Sequence, residues 1–101
     1  DVFPHLPAGP RPGIVAFTAT SWGQLITPRF TPAGERTPTA ADCYRFVLSH
    51  PAVDVCATGP ASAAHVEQAL AARELGPMSD EELAWMRRVG VDVRRRAWLK
   101  Q

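Results

Sequence analysis

The chain has 101 residues, of which 46% are hydrophobic and 21% are charged. This mixture is typical of a small folded domain and argues against disorder throughout. The formal net charge of +1 does not indicate binding to nucleic acid or to an anionic membrane, so we expect any anion-binding site to be local. The sequence has neither an apolar run of the roughly 20 residues that cross a bilayer nor the pattern of a signal peptide, and we expect a soluble, cytoplasmic protein.

The first residues differ in character from the rest of the chain. Prolines at positions 4, 7, 10 and 12 predict that residues 1–12 form an arm or a linker, because proline fixes φ and removes a backbone donor. The folded part is expected to cover residues 13–101. Since the chain begins with Asp1 and not with methionine, we expect it to be a piece cut from a longer protein.

Two short apolar runs, residues 14–19 and residues 53–57, predict β-strands. The first run does not alternate between apolar and polar side chains, which indicates a strand buried on both faces. Residues 27–38 contain three prolines and a glycine and are predicted to form a loop. The spacing of Cys43 and Cys56 favours two buried thiols over a disulfide or a metal site.

Two helices are predicted around the second strand. The first begins after Thr37 or Thr39 and ends at His50, before a proline. The second begins at the N-cap Ser62 and ends near Gly76. The apolar residues expected on the buried sides are Cys43, Phe46 and Val47 in the first helix, and Ala63, Val66, Ala69 and Leu70 in the second.

A third helix is predicted from about Asp80 towards Ala97. Ser79 and Glu82 have the spacing of a capping box at its start, and Gly90 weakens its second half. The basic residues near its end complement the helix dipole, so we interpret them as a solvated helix end and not as a nucleic-acid site. Its expected apolar stripe is Leu83, Met86, Val89 and Val93.

The order strand, loop, helix, strand, helix predicts an α/β fold in which parallel strands are joined by right-handed crossovers. Two strands alone leave an unpaired edge on each side. We therefore expect something else to cover these edges.

Five segments, in this order and spacing, resemble the C-terminal portion of the aldo/keto reductases. Residues 13–23 are similar to the family's seventh barrel strand and its turn, residues 37–51 to its seventh helix, and residues 53–59 to its eighth strand. Residues 62–70 are similar to the next helix, and residues 76–79 to the lead into the last one. The resemblance implies the C-terminal part of a (β/α)8 TIM barrel, with two parallel strands and three helices.

The resemblance also implies a cofactor site in the two turns that follow the strands. Independently, a strand that leaves through Gly59 into a helix capped by Ser62 exposes unpaired amides that suit a phosphate, although an ordinary turn and cap have the same sequence. The resemblance implies NADP as the cofactor. NAD is the alternative, because Ala61 stands where the family has a basic residue and Ala69 stands where it has an asparagine. The residues implied to contact the cofactor are Thr20, Trp22, Gly23, Gln24, Gly59, Ala61, Ser62, His65 and Gln68. For Trp22, packing in the core is the alternative role.

The family reduces aldehydes or ketones to alcohols without a metal, and its catalytic Asp, Tyr, Lys and His belong to loops after the first four strands. This chain does not contain those loops, and Tyr44, His50 and Lys100 match no catalytic position. We therefore expect the chain to bind the dinucleotide as part of an oxidoreductase and to be inactive alone. The alternatives are a stand-alone interaction or nucleotide-binding module that self-associates, and a proteolytic fragment with no role of its own.

Overall fold

The computed structural model describes residues 3–7, 9 and 11–99. Two strands and three α-helices form its regular part, together with short 3-10 turns. The strands are β1 (Val15–Ala16) and β2 (Val55–Cys56), the helices are α1 (Ala40–Leu48), α2 (Ala63–Leu75) and α3 (Asp80–Leu99), and the 3-10 turns are Phe3–His5, Gln24–Ile26 and Pro28–Phe30. None of the described helices is both long enough and apolar enough to span a membrane.

β1 and β2 pair in parallel, with Val15 opposite Val55 and Ala16 opposite Cys56. The amide of Ala57 donates to the carbonyl of Ala16 at 2.8 Å and extends the pairing by one residue. The strands pair in parallel and α1 lies between them in the chain. The predicted α/β class with parallel strands is therefore confirmed. The strands are shorter than the predicted runs, and in the described residues they form an open pair with no closed barrel.

One face of the strand pair is bare. Val15, Phe17 and Val55 are 59%, 75% and 52% exposed, whereas Ala16 and Cys56 on the other face are partly buried. The prediction that the first strand is buried on both faces is therefore wrong. In the described part of the chain, helices pack on one face of the pair, so one row of side chains in each strand remains in solvent.

The start of α1 is fixed by Thr39, one of its two predicted caps. The Thr39 hydroxyl accepts from the amide of Asp42 at 3.2 Å, and the Asp42 carboxylate accepts from the amide of Thr39 at 2.9 Å, which completes a capping box. Thr37 bonds instead to Thr31, hydroxyl to hydroxyl, at 2.8 Å. The helix ends at Leu48, shortly before the predicted proline stop.

The ends of α2 are as predicted, and its buried side is not. Ser62 caps the start, and Gly76 follows the last residue with φ 73°, a conformation that favours glycine. Ala72 is the buried residue, while Val66 and Leu70 are 43% and 56% exposed. The predicted apolar stripe of α2 is wrong, because α2 turns its small residues towards α1 and leaves the larger ones outside.

α3 carries most of the core. Its predicted stripe is confirmed, since Met86, Val89 and Val93 are buried and Leu83 packs against them. Gly90 lies within the helix and does not end it. The other members of the core cluster come from α1, from α3 itself and from the two connecting segments: Phe30, Cys43, Met78 and Trp85.

The proline-rich segment 27–38, predicted as a loop, contains a 3-10 turn that delivers Phe30 to the core. It is held against α3 at its other end, where the indole of Trp85 donates to the carbonyl of Arg36 at 3.1 Å. The guanidinium of Arg36 also stacks on the Trp85 ring at 3.9 Å from the centroid. The segment is therefore part of the packed fold.

Arg45 joins α1 to the start of α3. Its guanidinium donates to both carboxylate oxygens of Glu82, at 2.8 and 3.2 Å, and to the carbonyl of Gly76 at 2.8 Å. The predicted capping box of α3 is confirmed, because the Glu82 carboxylate also accepts from the amide of Ser79, whose hydroxyl accepts from the amide of Glu82. The same carboxylate thus starts one helix and anchors another.

Both cysteines are free thiols. Cys43 is buried, as predicted, and burial raises the pKa of its thiol to about 12. Cys56 is only partly buried, on the helix-covered face of β2. Within the described residues, no group of three histidine, cysteine or acidic side chains is arranged to hold a metal ion.

Candidate functional site

The two turns that follow the strands form the candidate site. Because β1 and β2 run parallel, their carboxyl ends lie at the same edge of the pair. The chain leaves β1 into residues 18–24 and leaves β2 into the exposed segment 57–62 that starts α2. Ligands of open parallel sheets bind outside this edge.

The first turn has an unusual backbone. Ser21 and Trp22 have φ of 53° and 54°, and Gly23 follows at 85°. L-residues rarely adopt this left-handed conformation, and consecutive examples persist only where surrounding bonds enforce them. Here the Thr20 hydroxyl accepts from the amide of Gly23 at 3.2 Å, and the Ser21 hydroxyl donates to the side-chain oxygen of Gln24 at 3.3 Å.

Ser21 is a residue of this turn that the sequence analysis did not single out. Its hydroxyl holds Gln24, and its amide donates to the carbonyl of Thr18 at 2.9 Å. Two adjacent hydroxyl residues, Thr20 and Ser21, followed within two positions by Gly23, were the available signal, since such residues form local side-chain to backbone bonds in turns.

Trp22 is 84% exposed. Packing in the core, the alternative role considered for it, is therefore wrong. Its indole stands in solvent on a turn whose backbone is otherwise tied down, which leaves a large flat surface available to a ligand.

The second turn leads to the N-terminus of α2. The Ser62 hydroxyl accepts from the amide of His65 at 3.3 Å, and the Nδ1 atom of His65 accepts from the amide of Ala61 at 3.0 Å. Two amides of the expected anion cradle are therefore already bonded. The amides of Ala63 and Ala64 have no partner in the described part of the chain and remain available to an anion.

His65 and Gln68 were both predicted to contact the cofactor. His65 belongs to the exposed turn, although its Nδ1 atom is committed to Ala61. Gln68 lies about one helical turn further on, where its side-chain oxygen accepts from the amide of Ala41 at 3.3 Å. The structure thus brings Gly59, Ala61 and His65 together in one segment and uses Gln68 to join α2 to α1.

The electrostatics of the candidate site are weak. Residues 17–28 contain no charged side chain, and between residues 57 and 72 Glu67 is the only Asp, Glu, Lys or Arg. The attraction for an anion therefore comes from amides and the helix dipole and not from a cation. Such a site favours a phosphate group that is held by the backbone, and it contributes little long-range attraction.

Three residues were set aside as non-catalytic from the sequence. Tyr44 lies in α1, where burial raises the pKa of its phenol. His50 follows α1, and its Nδ1 atom accepts from the amide of Ala52 at 3.1 Å. Lys100 lies outside the described residues.

Comparison of the chain with protein-family models, with curated proteins and with solved structures gives no significant match.

Proposed function

We propose that the chain is the cofactor-phosphate-binding part of an oxidoreductase that reduces aldehydes or ketones to alcohols with NADP, with NAD as the alternative. The observation that carries the proposal is the parallel pairing of β1 and β2, which places the turns after both strands at the same edge. The turn after β2 leads into the start of α2, which Ser62 caps. In (β/α)8 barrels the loops after the seventh and eighth strands and a helix N-terminus form a phosphate site. The sequence resemblance to the C-terminal portion of the aldo/keto reductases supports the same assignment.

The bare face of the strand pair also supports a barrel. In a barrel, alternate side chains of each strand fill the interior and the others pack under the surrounding helices. Val15 and Val55 occupy the first kind of position, and Ala16 and Cys56 the second. The remaining strands of the parent protein would cover the exposed row, and they would carry its catalytic residues.

In this role the chain orients a cofactor, and the cofactor supplies the hydride chemistry when it is bound. Ala63 and Ala64 would donate their amides to the pyrophosphate, and the exposed ring of Trp22 would lie beside the cofactor. The isolated chain reduces no carbonyl substrate, because none of its residues is assigned to proton or hydride transfer.

Calorimetric titration of the 101-residue chain with NADPH tests the proposal. We expect Ser62→Ala to weaken NADPH binding about fivefold, since the cap orders the amides that face the phosphate. Ser79→Ala is the matched control, because Ser79 caps α3 in the same manner at a distance in sequence from the site. Equal losses in both variants, or no NADPH binding by the unmodified chain, would contradict the proposal.

A second candidate is a self-associating module, and the same bare face favours it. Phe17 is 75% exposed beside Val15 and Val55, and exposed apolar patches often mark protein interfaces. This candidate predicts a dimer or larger oligomer, which light scattering would measure as at least twice the 11.0 kDa chain mass. Phe17→Ser would return the chain to a monomer, whereas a monomeric unmodified chain would exclude the module.

A further inference from the structure

A groove of about 390 Å³ opens where α1 ends, beside β1 and α3. None of the residues proposed to bind the dinucleotide lines it, so it is independent of the proposed function. Its volume falls in the range of about 300–1,000 Å³ that is usual for small-molecule sites. Its apolar wall consists of Ala16, Phe46, Val47, Pro51, Val53 and Leu83.

Among the described residues, Arg87 is the only charged side chain that lines the groove. It lies on the exposed side of α3 and has no hydrogen bond or ion pair within the described part of the chain. Its helix neighbours three and four positions away are Leu83, Ala84, Gly90 and Val91, so no acid of α3 is placed to pair with it.

Most other arginines of the described chain are engaged. Arg88 pairs with Glu35 at 2.8 Å, and Arg96 pairs with Asp92 at 2.8 Å. Arg45 pairs with Glu82, as described above. Arg87 is thus a free guanidinium at the rim of an apolar groove, an arrangement that offers a bidentate donor to a planar anion.

The remaining polar groups of the groove are already bonded to the protein. The Ser49 hydroxyl donates to the carbonyl of Arg45 at 2.6 Å and accepts from the amide of Met78 at 2.9 Å. His50 accepts from the amide of Ala52. The apolar wall and the Arg87 guanidinium are therefore the two main features that select a ligand.

We propose that this groove binds a small amphipathic monocarboxylate, with its hydrocarbon part on the apolar wall and its carboxylate on Arg87. The wall requires an apolar tail, because it offers no free donor or acceptor. A single guanidinium matches the charge and the two oxygens of one carboxylate. No acidic residue of the described chain lines the groove, so a carboxylate meets no acidic neighbour among its lining residues.

Binding of decanoate, decanol and decyltrimethylammonium to the 101-residue chain, measured by calorimetry, tests this assignment. We expect decanoate to bind about tenfold more tightly than decanol, and decyltrimethylammonium to bind more weakly than both. Arg87→Gln removes the preference for decanoate and leaves decanol binding unchanged.

Arg94→Gln is the matched control, because Arg94 is also exposed on α3, also has no partner in the described chain, and does not line the groove. The proposal is overturned by equal affinity for the three compounds, by equal effects of the two variants, or by a decanoate preference that survives Arg87→Gln. If the chain is a dimer and decanoate does not bind, the groove would be assigned to a second copy of the chain, and the proposal would also be overturned. Titration of the Arg87→Gln chain with NADPH separates failure of the groove proposal from failure of the proposed function. The proposed function predicts that this variant binds NADPH as the unmodified chain does.

Discussion

Glu82 shows how much of the fold a single side chain can organise. Its carboxylate accepts from the guanidinium of Arg45 and from the amide of Ser79, and these bonds hold its pKa at about 2, below the usual 4.5. Because the pKa is lower in the folded chain than in the unfolded one, ionised Glu82 stabilises the fold above about pH 4.5. This contribution is lost as the pH falls towards 2.

We predict that Glu82→Gln reduces the free energy of unfolding at pH 6 and flattens its decline between pH 4.5 and 2. The bonds from Arg45 lose their charged acceptor, while the buried guanidinium keeps its desolvation cost. Urea unfolding followed by circular dichroism at several pH values measures the effect. Glu74→Gln is the control, since Glu74 is exposed and unpaired in the described chain, and an equal loss in both variants would contradict the role assigned to Glu82.

A second residue, Ala61, bears on the proposed choice between NADPH and NADH. Ala61 is exposed directly before the Ser62 cap, and no Lys or Arg lies between residues 57 and 72. We predict that Ala61→Arg strengthens NADPH binding about tenfold relative to NADH, because a guanidinium would meet the 2′-phosphate that only NADPH carries. Parallel titrations with the two dinucleotides measure the ratio, and an unchanged ratio would place the 2′-phosphate elsewhere.

At the scale of elements, α3 is the main source of packing. Val89 is 0% exposed in the core cluster, whereas Val91, two residues later on the same helix, is 71% exposed. Replacing either valine by alanine changes the helix propensity by the same amount, so a difference between the two variants reports on packing.

We predict that Val89→Ala lowers the free energy of unfolding by about 2 kcal/mol, because it leaves a cavity among Trp85 and Met86. Val91→Ala should change it by less than about 0.5 kcal/mol. Urea unfolding of the two variants side by side measures both values. Similar losses would mean that α3 does not pack by the face described.

The elements also show what a sequence can and cannot predict. The helix starts at Thr39, Ser62 and Ser79 were predictable, because a cap depends on a hydroxyl and amides only a few residues away. The buried sides of β1 and α2 were not, since burial depends on which layers cover an element. The parallel pairing followed from the order of elements, whereas the short strands reflect the absence of further neighbours in the described chain.

The candidate site was predictable to a similar degree. Its place at the strand exits followed from the parallel order, and the capping role of Ser62 followed from its position. The exposure of Trp22 and the bond between His65 and Ala61 could not be predicted, because they depend on backbone angles and rotamers that a spacing pattern does not specify.

At the scale of the whole molecule, the strand pair has two faces of different character and a carboxyl edge, where both strands end. The carboxyl edge carries the strained turn and the start of α2, one face is covered by helices, and the other presents Val15, Phe17 and Val55 to solvent. A piece of a larger barrel and a self-associating module both account for the bare face. They differ in what they predict at the carboxyl edge, where only the cofactor site predicts that a phosphate binds the free amides at the start of α2.

We propose that this edge binds the phosphates of a dinucleotide. Amide chemical shifts of the nitrogen-15-labelled chain, recorded during a titration with NADPH, test it most directly. We predict saturable shifts at the amides of Gly23, Gly59, Ala63 and Ala64, with the core of α3 unchanged. Shifts confined to the arginines of α3, or no shifts at saturating NADPH, would contradict it.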